Sequence, residues 1–261
     1  MSKQVIWITG ASSGIGEATA KVYSKKGFDV IISARKEKEL ERVKSECQHP
    51  ENIRVLPLDL TETSQMDAKV KEAISFFGKV DILLHNGGIS QRSLIRETAL
   101  DVDRKLMEVN YFGTVALTKA ILPHFIQNKG GQFGVVTSLV GKFASPFRSS
   151  YAASKHALHG FFDTLRAEHY QDNISVTLIC PGFIKTQVSV NALTGDGSSL
   201  GKMDEAQAKG MSPEACAEGI FSALSRNIEE VLIGGKEKYA VYLKRFFPGI
   251  FSKILRKAKV R

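Results

Sequence analysis

The sequence predicts a single α/β domain built on a doubly wound, seven-stranded parallel sheet with helices on both faces. Three observations lead there. Seven short apolar runs rich in β-branched residues recur along the 261 residues, and stretches with helical periodicity separate them. The runs are apolar throughout rather than alternating, as strands buried on both faces require. Strict alternation of strand and helix returns each strand parallel to the one before it.

The runs are VIWIT at 5–9, VIIS at 30–33, IRVLPL at 53–58, VDILLH at 80–85, FGVVT at 133–137, ISVTLI at 174–179 and EVLI at 230–233. Helix boundaries fall between them. Gly27 follows a lysine-rich helix end and Gly130-Gly131 follows another, where glycine readily takes the left-handed cap conformation. Ser212-Pro213 opens a late helix with an N-cap serine and a proline at the first helical position. From Lys185 to Gly210 the pattern lapses into small polar residues, with glycines at 195, 197 and 201. So long a loop beside the carboxyl edge of the sheet reads as a mobile substrate lid over about 185–211, with a plain insertion as the alternative.

Composition sets limits on function. Hydrophobic content of 43% and aromatic content of 8% suit a soluble domain with a large core. Cys47, Cys180 and Cys216 are far apart and outside metal-ligand spacing, which fits a reducing cytoplasm and no metal site. The opening Met-Ser-Lys-Gln runs into VIWIT, too short for a signal-peptide core or a membrane span, so the expected location is cytoplasmic. The net charge of +9 is concentrated at one end. Nine Lys/Arg against the single Glu237 give +8 over residues 236–261, leaving +1 for residues 1–235. A nearly neutral domain lacks the basic groove of a nucleic-acid binder, so no nucleic acid is expected as a partner. The division is therefore a domain at 1–235 and a basic tail at 236–261.

The chemistry-bearing residues cluster at strand ends. Thr9-Gly10-Ala11-Ser12-Ser13-Gly14-Ile15-Gly16 follows the first strand and opens a helix. Glycines there let the backbone turn tightly and approach a pyrophosphate, whose charge is stabilised at the helix N-terminus. The context is that of a dinucleotide-binding, Rossmann-type βαβ unit. The second strand ends in Ser33-Ala34-Arg35-Lys36, with two cations where NAD sites commonly carry an acid. A forked guanidinium suits a ribose 2′-phosphate, so Arg35 points to NADP(H), with Ser12 or Lys36 as helpers; the plain alternative is an exposed helix start. Tyr151 and Lys155, four apart on a helical stretch, project from one face. A fixed cation favours the ionised phenol and brings an acid of pKa about 10 nearer working pH.

With these motifs in order, the chain resembles the short-chain dehydrogenase/reductase family from residue 4 to about 235. Thr9 through Gly16 is similar to its TGxxxGxG turn, and Asp59 to the acid near adenine. Asn86-Gly87-Gly88 stands where Asn-Ala-Gly is usual, a change expected to loosen that turn slightly. Pro181-Gly182 and Thr186 match the segment that holds the nicotinamide carboxamide. The resemblance implies a catalytic set of Asn110, Ser138, Tyr151 and Lys155. Tyr151 would protonate a carbonyl oxygen, Ser138 hydrogen-bond it, Lys155 bind the nicotinamide ribose and lower the tyrosine pKa, and Asn110 hold a relay water. NADP-preferring relatives often carry a basic residue at the position of Ser13, which leaves Arg35 most of the discrimination. Family relatives are often homodimers or homotetramers. His156 faces away from Lys155 and reads as structural, His85 as core or second shell, and Asp163 and Glu168 as solvated.

The tail lies outside this pattern. After Pro248, Ile250, Phe251, Ile254 and Leu255 fall on one helical stripe flanked by Lys253, Arg256 and Lys257. Such a face suits an anionic membrane interface, and equally suits docking on the protein's own sheet or a partner subunit. Membrane-linked relatives, including steroid and acyl-dihydroxyacetone-phosphate reductases, point to lipid-like ketones; many have an N-terminal membrane segment not seen here. The expected function is an NADPH-dependent carbonyl reductase, or the reverse alcohol dehydrogenase, acting on a hydrophobic small molecule. The alternative is an NADP-binding regulatory or interaction protein that docks through its C-terminal helix.

Overall fold

The computed structural model describes residues 3–258; Met1, Ser2 and the tail's last residues, including the basic Lys259 and Arg261, lie outside the described residues. Seven strands form one parallel sheet: β1 Val5–Thr9, β2 Asp29–Ser33, β3 Ile53–Val55, β4 Ile82–His85, β5 Gly131–Val136, β6 Ile174–Pro181 and β7 Glu230–Ile233. Their order is β3-β2-β1-β4-β5-β6-β7, so the winding direction reverses between β1 and β4. Register is continuous across that reversal, with Trp7 beside both Ile31 and Leu83. The third run outlasts its regular strand, which stops at Val55, although Leu56 and Leu58 still donate to the Ile32 and Ala34 carbonyls at 3.0 and 3.1 Å; Pro57 between them costs no ladder bond because β3 is an edge strand.

Helices α1 Gly14–Lys25, α2 Glu37–Ser45, α3 Met66–Phe77, α4 Leu100–Met107, α5 Gly113–Gln127, α6 Ser149–Glu168, α7 Glu205–Ala208, α8 Pro213–Ser225, α9 Tyr239–Phe246 and α10 Pro248–Leu255 complete the chain. The strands alternate their side chains between two cores, and each core takes its own helices. Val5, Trp7, Ile31, Leu83, Phe133 and Val176 meet α3, α5 and α6. Ile6, Ile8, Val30, Ile32, Leu84 and Ile179 meet α1, α2 and α8. Runs that are apolar at every position are thus explained by burial on both faces. Ser212 caps α8 as expected, its Oγ accepting from the Ala215 N–H at 3.1 Å.

The segment after β6 is irregular apart from α7, yet it is packed down. Leu193 bridges Gln91, Ile184 bridges Met211, and Ser189, Ala192 and Gln207 are buried. The tail divides its apolar stripe. Phe251 is buried against Phe143, with ring centroids 5.3 Å apart, whereas Ile250 and Ile254 stay 54% exposed beside exposed Phe246 and Phe247.

Two glycines, at the start of α5 and within α6, test the packing. A Cβ at Gly113 would lie 2.2 Å from the Leu60 carbonyl oxygen, whereas one at Gly160 on α6 meets nothing within 4 Å. Gly113→Ala should therefore destabilise by about 1–3 kcal/mol, and Gly160→Ala should be neutral or stabilise by up to about 1 kcal/mol. Urea unfolding followed by circular dichroism measures both.

Candidate active site

The site forms where the winding reverses, at the carboxyl ends of β1 and β4. Thr9 Oγ1 accepts from the N–H groups of Asn86 and Gly87, both at 3.0 Å. The Asn86 side chain donates to the Thr9 and Gly10 carbonyls, both at 3.0 Å. These bonds press two turns into backbone contact. Gly10 has φ +65°, and a Cβ there would lie 2.7 Å from the Gly87 Cα; one on Gly16 would lie 2.3 Å from the Gly10 carbonyl oxygen. Ser13 begins α1 with no side-chain cap, so its first N–H groups face outward. Ile15 packs on the core behind, and Arg42 reaches the Ser12 carbonyl at 3.3 Å while paired to Glu17 at 3.0 Å.

The other expected cofactor residues gather around this cradle. Thr186 stands over the turn, its Cγ2 3.0 Å from where a Gly14 Cβ would be. A cleft of about 360 Å³ runs between α1 and the segment from 185, lined by Ser13, Gly14, Lys185, Thr186 and also Glu17 and Glu214. Arg35 is exposed just past the end of β2, where the Ala11 N–H donates to the Ser33 carbonyl at 3.1 Å. Asp59 holds Thr61 by its N–H and hydroxyl, both at 2.9 Å. The expectation that Gly87 loosens its turn needs correction. A Cβ there would lie 2.9 Å from Leu60 Cδ1, so Leu60 occupies the room a methyl would take.

Asn110 and Lys155 meet beside Gly88, and Lys155 stands next to Tyr151, which hydrogen-bonds Ser138. A Cβ on Gly88 would lie 3.0 Å from Asn110 Oδ1 and 3.6 Å from Lys155 Nζ. Lys155 is buried, and its ammonium donates to the Val136 carbonyl at 2.8 Å. Burial brings it down to about 8. Ser138 ends the strand region extended, donating weakly to the Pro181 carbonyl at 3.4 Å and hydrogen-bonding Tyr151. Burial pushes the Tyr151 phenol above the ordinary tyrosine value, while the Ser138 hydrogen bond and the charges of Arg92 and Arg148 pull it back. The Lys155 ammonium, expected to lower the same phenol, sits 5.9 Å from the centre of the Tyr151 ring. Asn110 lies in a π-helical turn at Glu108–Phe112. Both its amide protons are engaged, on the Ile89 carbonyl and Ser154 Oγ at 3.0 Å, and Oδ1 accepts from the Ile89 N–H at 2.8 Å. The side chain therefore ties the segment after β4 to α6, and only its remaining oxygen lone pair is left for a relay water.

Several residues here carried no sequence signal. Gln91, fully buried, caps α6 from sixty residues away, its Oε1 accepting from the Ser150 N–H at 3.0 Å. Glu237, the tail's acid, accepts from the N–H groups of Gly235 and Phe183 at 3.0 and 3.3 Å and so braces the strand-end segment with Pro181 and Gly182. His85 is core: it bonds Thr118 at 2.9 Å and burial brings it down to about 3. His156 is exposed and bonds its own helix at Ala152, and Asp163 pairs with Arg166 on the surface.

The residues present fit a dinucleotide. The cradle has no space for a Cβ at Gly10 or Gly16, an uncapped helix start faces it, and a buried ammonium lies at its far end. That ammonium carries a stability cost. Lys155 titrates lower folded than unfolded, so its cost is fully present below about 8 and is relieved as pH rises toward the unfolded value. Lys155→Met should stabilise the cofactor-free protein at pH 7 by up to roughly 3 kcal/mol, less the lost hydrogen bond, with the gain fading by about pH 10; thermal unfolding across pH checks this.

Residues 4–196 match the short chain dehydrogenase family. The fruit-fly protein "Dehydrogenase/reductase SDR family protein 7-like" is 46% identical over 266 residues, covering 99% of this chain and 81% of that one. A short-chain dehydrogenase from Streptomyces avermitilis superposes with a TM-score of 0.82 at 25% identity, covering 98% of this chain and 96% of that one. A short chain dehydrogenase/reductase from Burkholderia phymatum, solved in complex with NAD, superposes with a TM-score of 0.83 at 20% identity, covering 100% and 97%, a likeness of fold. The chain belongs to the short chain dehydrogenase family and is an oxidoreductase.

Proposed function

We propose that this oxidoreductase is an NADPH-dependent carbonyl reductase, or the reverse alcohol dehydrogenase, acting on a hydrophobic ketone or alcohol. The observation that carries the reading is the hydrogen bond between Tyr151 and Ser138, with the Lys155 ammonium 5.9 Å from the same ring and beside Gly88. The nicotinamide, when bound, supplies the hydride. Tyr151 gives its proton to the carbonyl oxygen, and the Ser138 hydroxyl hydrogen-bonds that oxygen as charge develops on it. Lys155 holds the nicotinamide ribose, and Gly10 through Gly16, Asn86 to Gly88, Pro181, Gly182 and Thr186 seat the rest of the dinucleotide. Arg35, exposed at the end of β2 and without an ion pair among the described residues, takes the 2′-phosphate. The Tyr151 ring packs with Ile89 against Val102, Leu106 and Leu193, a dry apolar wall that favours an apolar substrate.

The tail supports a surface role for the same enzyme. Tyr239, Tyr242, Phe246, Phe247, Ile250 and Ile254 are all more than half exposed, and Lys244, Arg245, Lys253, Arg256 and Lys257 surround them. An aromatic and aliphatic face with cations about it fits the headgroup region of an anionic bilayer. Among the described residues no helix is long and apolar enough to cross a membrane, so the contact is peripheral.

Tyr151→Phe should lower kcat on a ketone panel by roughly 10²–10⁴ while NADPH binding persists. Arg35→Ala should raise the NADPH KM about tenfold or more, the scale of one charged hydrogen bond, and leave that for NADH nearly unchanged. Equal use of the two cofactors by the wild type would remove the role given to Arg35. Full-length protein should float with phosphatidylserine-containing vesicles, and Phe246→Glu with Ile250→Glu should abolish this; no flotation of the wild type would exclude the membrane contact.

A further inference from the structure

The segment after β6 is fastened beneath the catalytic helix by a buried ion cluster. Arg92, Arg148 and Asp204 are 3%, 5% and 5% exposed. Both guanidiniums meet Asp204 Oδ2, with Arg92 Nε at 2.7 Å and Arg148 Nη2 at 3.3 Å. Arg92 also donates to Ser90 Oγ at 2.8 Å and to the Gln91 carbonyl at 2.7 Å, and Arg148 donates to Ser145 Oγ at 3.2 Å. The three come from the segment after β4, the residue before α6, and the residue before α7. Desolvating ions costs several kcal/mol each, and apolar residues would pin the segment with less penalty. The charges therefore point to a second task.

Their surroundings identify it. Arg148 is three residues before Tyr151, at the start of the same helix. Arg92 follows Gln91, whose Oε1 accepts from the Tyr151 N–H at 3.4 Å. The cluster also flanks the ring: the Arg92 N–H donates to the Leu193 carbonyl at 2.8 Å and Leu193 packs with Tyr151, so the two guanidinium charges favour the ionised phenol. Among the described residues, other charged groups nearby are Lys155 on α6, 5.9 Å from the ring centre, and Asp103 on α4, which accepts from the Ser150 hydroxyl next in sequence to Tyr151.

We propose that Arg92 and Arg148 are positioning residues that stabilise the phenolate left on Tyr151 after it gives up its proton, and that Asp204 on the segment after β6 sets their strength. This rests on Tyr151 as the proton donor. In the reduction, the O–H bond of Tyr151 breaks and a new O–H bond forms on the former carbonyl oxygen, whose carbon has taken the hydride; the phenolate then regains a proton from solvent. Stabilising that anion lowers the barrier to proton donation. Because Asp204 reaches both arginines from the substrate-side segment, seating of that segment and acidity of the phenol are coupled.

The charge changes predict opposite shifts. Reduction needs the protonated phenol, so kcat falls as pH rises through its titration. Asp204→Asn should move that alkaline limb to lower pH by at least about half a unit, and Arg92→Gln or Arg148→Gln should move it to higher pH by a similar amount. Arg92→Lys, which keeps the charge, should restore the limb. The measurement is kcat against pH with NADPH and the ketones that the wild type reduces. In parallel, ¹³Cζ-tyrosine NMR, with the Tyr151 resonance assigned by Tyr151→Phe, titrates the phenol without turnover. A protein that binds NADPH but reduces no ketone would sink the proposed function, while the NMR shifts would still decide the cluster's role. Shifts of one sign in all variants, or none, in proteins with native circular dichroism would overturn the inference. If Asp204→Asn fails to fold, the arginine variants decide alone: an upward shift supports the role, and no shift or a downward one refutes it.

Discussion

The contact on which the rest depends is between two turns, one after β1 and one after β4. Thr9 and Asn86 bind each other's backbone, and the resulting approach leaves no space for a Cβ at Gly10. A left-handed residue with backbone on one side has to be glycine. Everything cofactor-facing is arranged from this point. α1 starts where its N–H groups face the cradle, Gly88 delivers the chain to Asn110, and Asn110 ties that segment to α6 through Ser154. The helix α6 is thus positioned from the sheet's reversal point, through hydrogen bonds rather than through its own hydrophobic face alone.

Around that frame the site is built of polar groups kept from water. Lys155 is held as an ammonium on a backbone carbonyl at the expense of its basicity, and Tyr151 is pushed the opposite way by the same loss of water. A buried phenol left to itself would be too weak an acid for chemistry near neutrality. The buried arginines offset this, and their carboxylate partner comes from a segment that also supplies Leu193 to the apolar wall beside the ring. Acidity, substrate surface and seating of the segment after β6 thus share the same few contacts.

Much of this was legible in the sequence because it is local. Strand runs, the glycine turn, the Ser212 cap and the Tyr151/Lys155 spacing each depend on neighbours a few residues away, and periodicity reports such relations. The third apolar run extends past its regular strand, which stops at Val55, because an apolar pattern reports burial rather than regular pairing. What the sequence hid is non-local. Gln91 capping α6, Asp204 collecting two arginines, Leu60 filling the space above Gly87 and Phe251 turning in against Phe143 join residues from distant segments, and no spacing rule connects them. Two further cations beside Tyr151, Arg92 and Arg148, come from the segment after β4 and the residue preceding α6, and no helix spacing points to them.

The central claim is that a hydride and the Tyr151 proton meet at one carbonyl in this site. Single-turnover reduction of a ketone with NADPH deuterated at the transferring carbon tests it most directly. The account predicts deuterium on the carbinol carbon of the product, with a primary isotope effect on the chemical step. Product alcohol carrying no deuterium at that carbon, or a bound dinucleotide that is never consumed by any carbonyl compound, would contradict it.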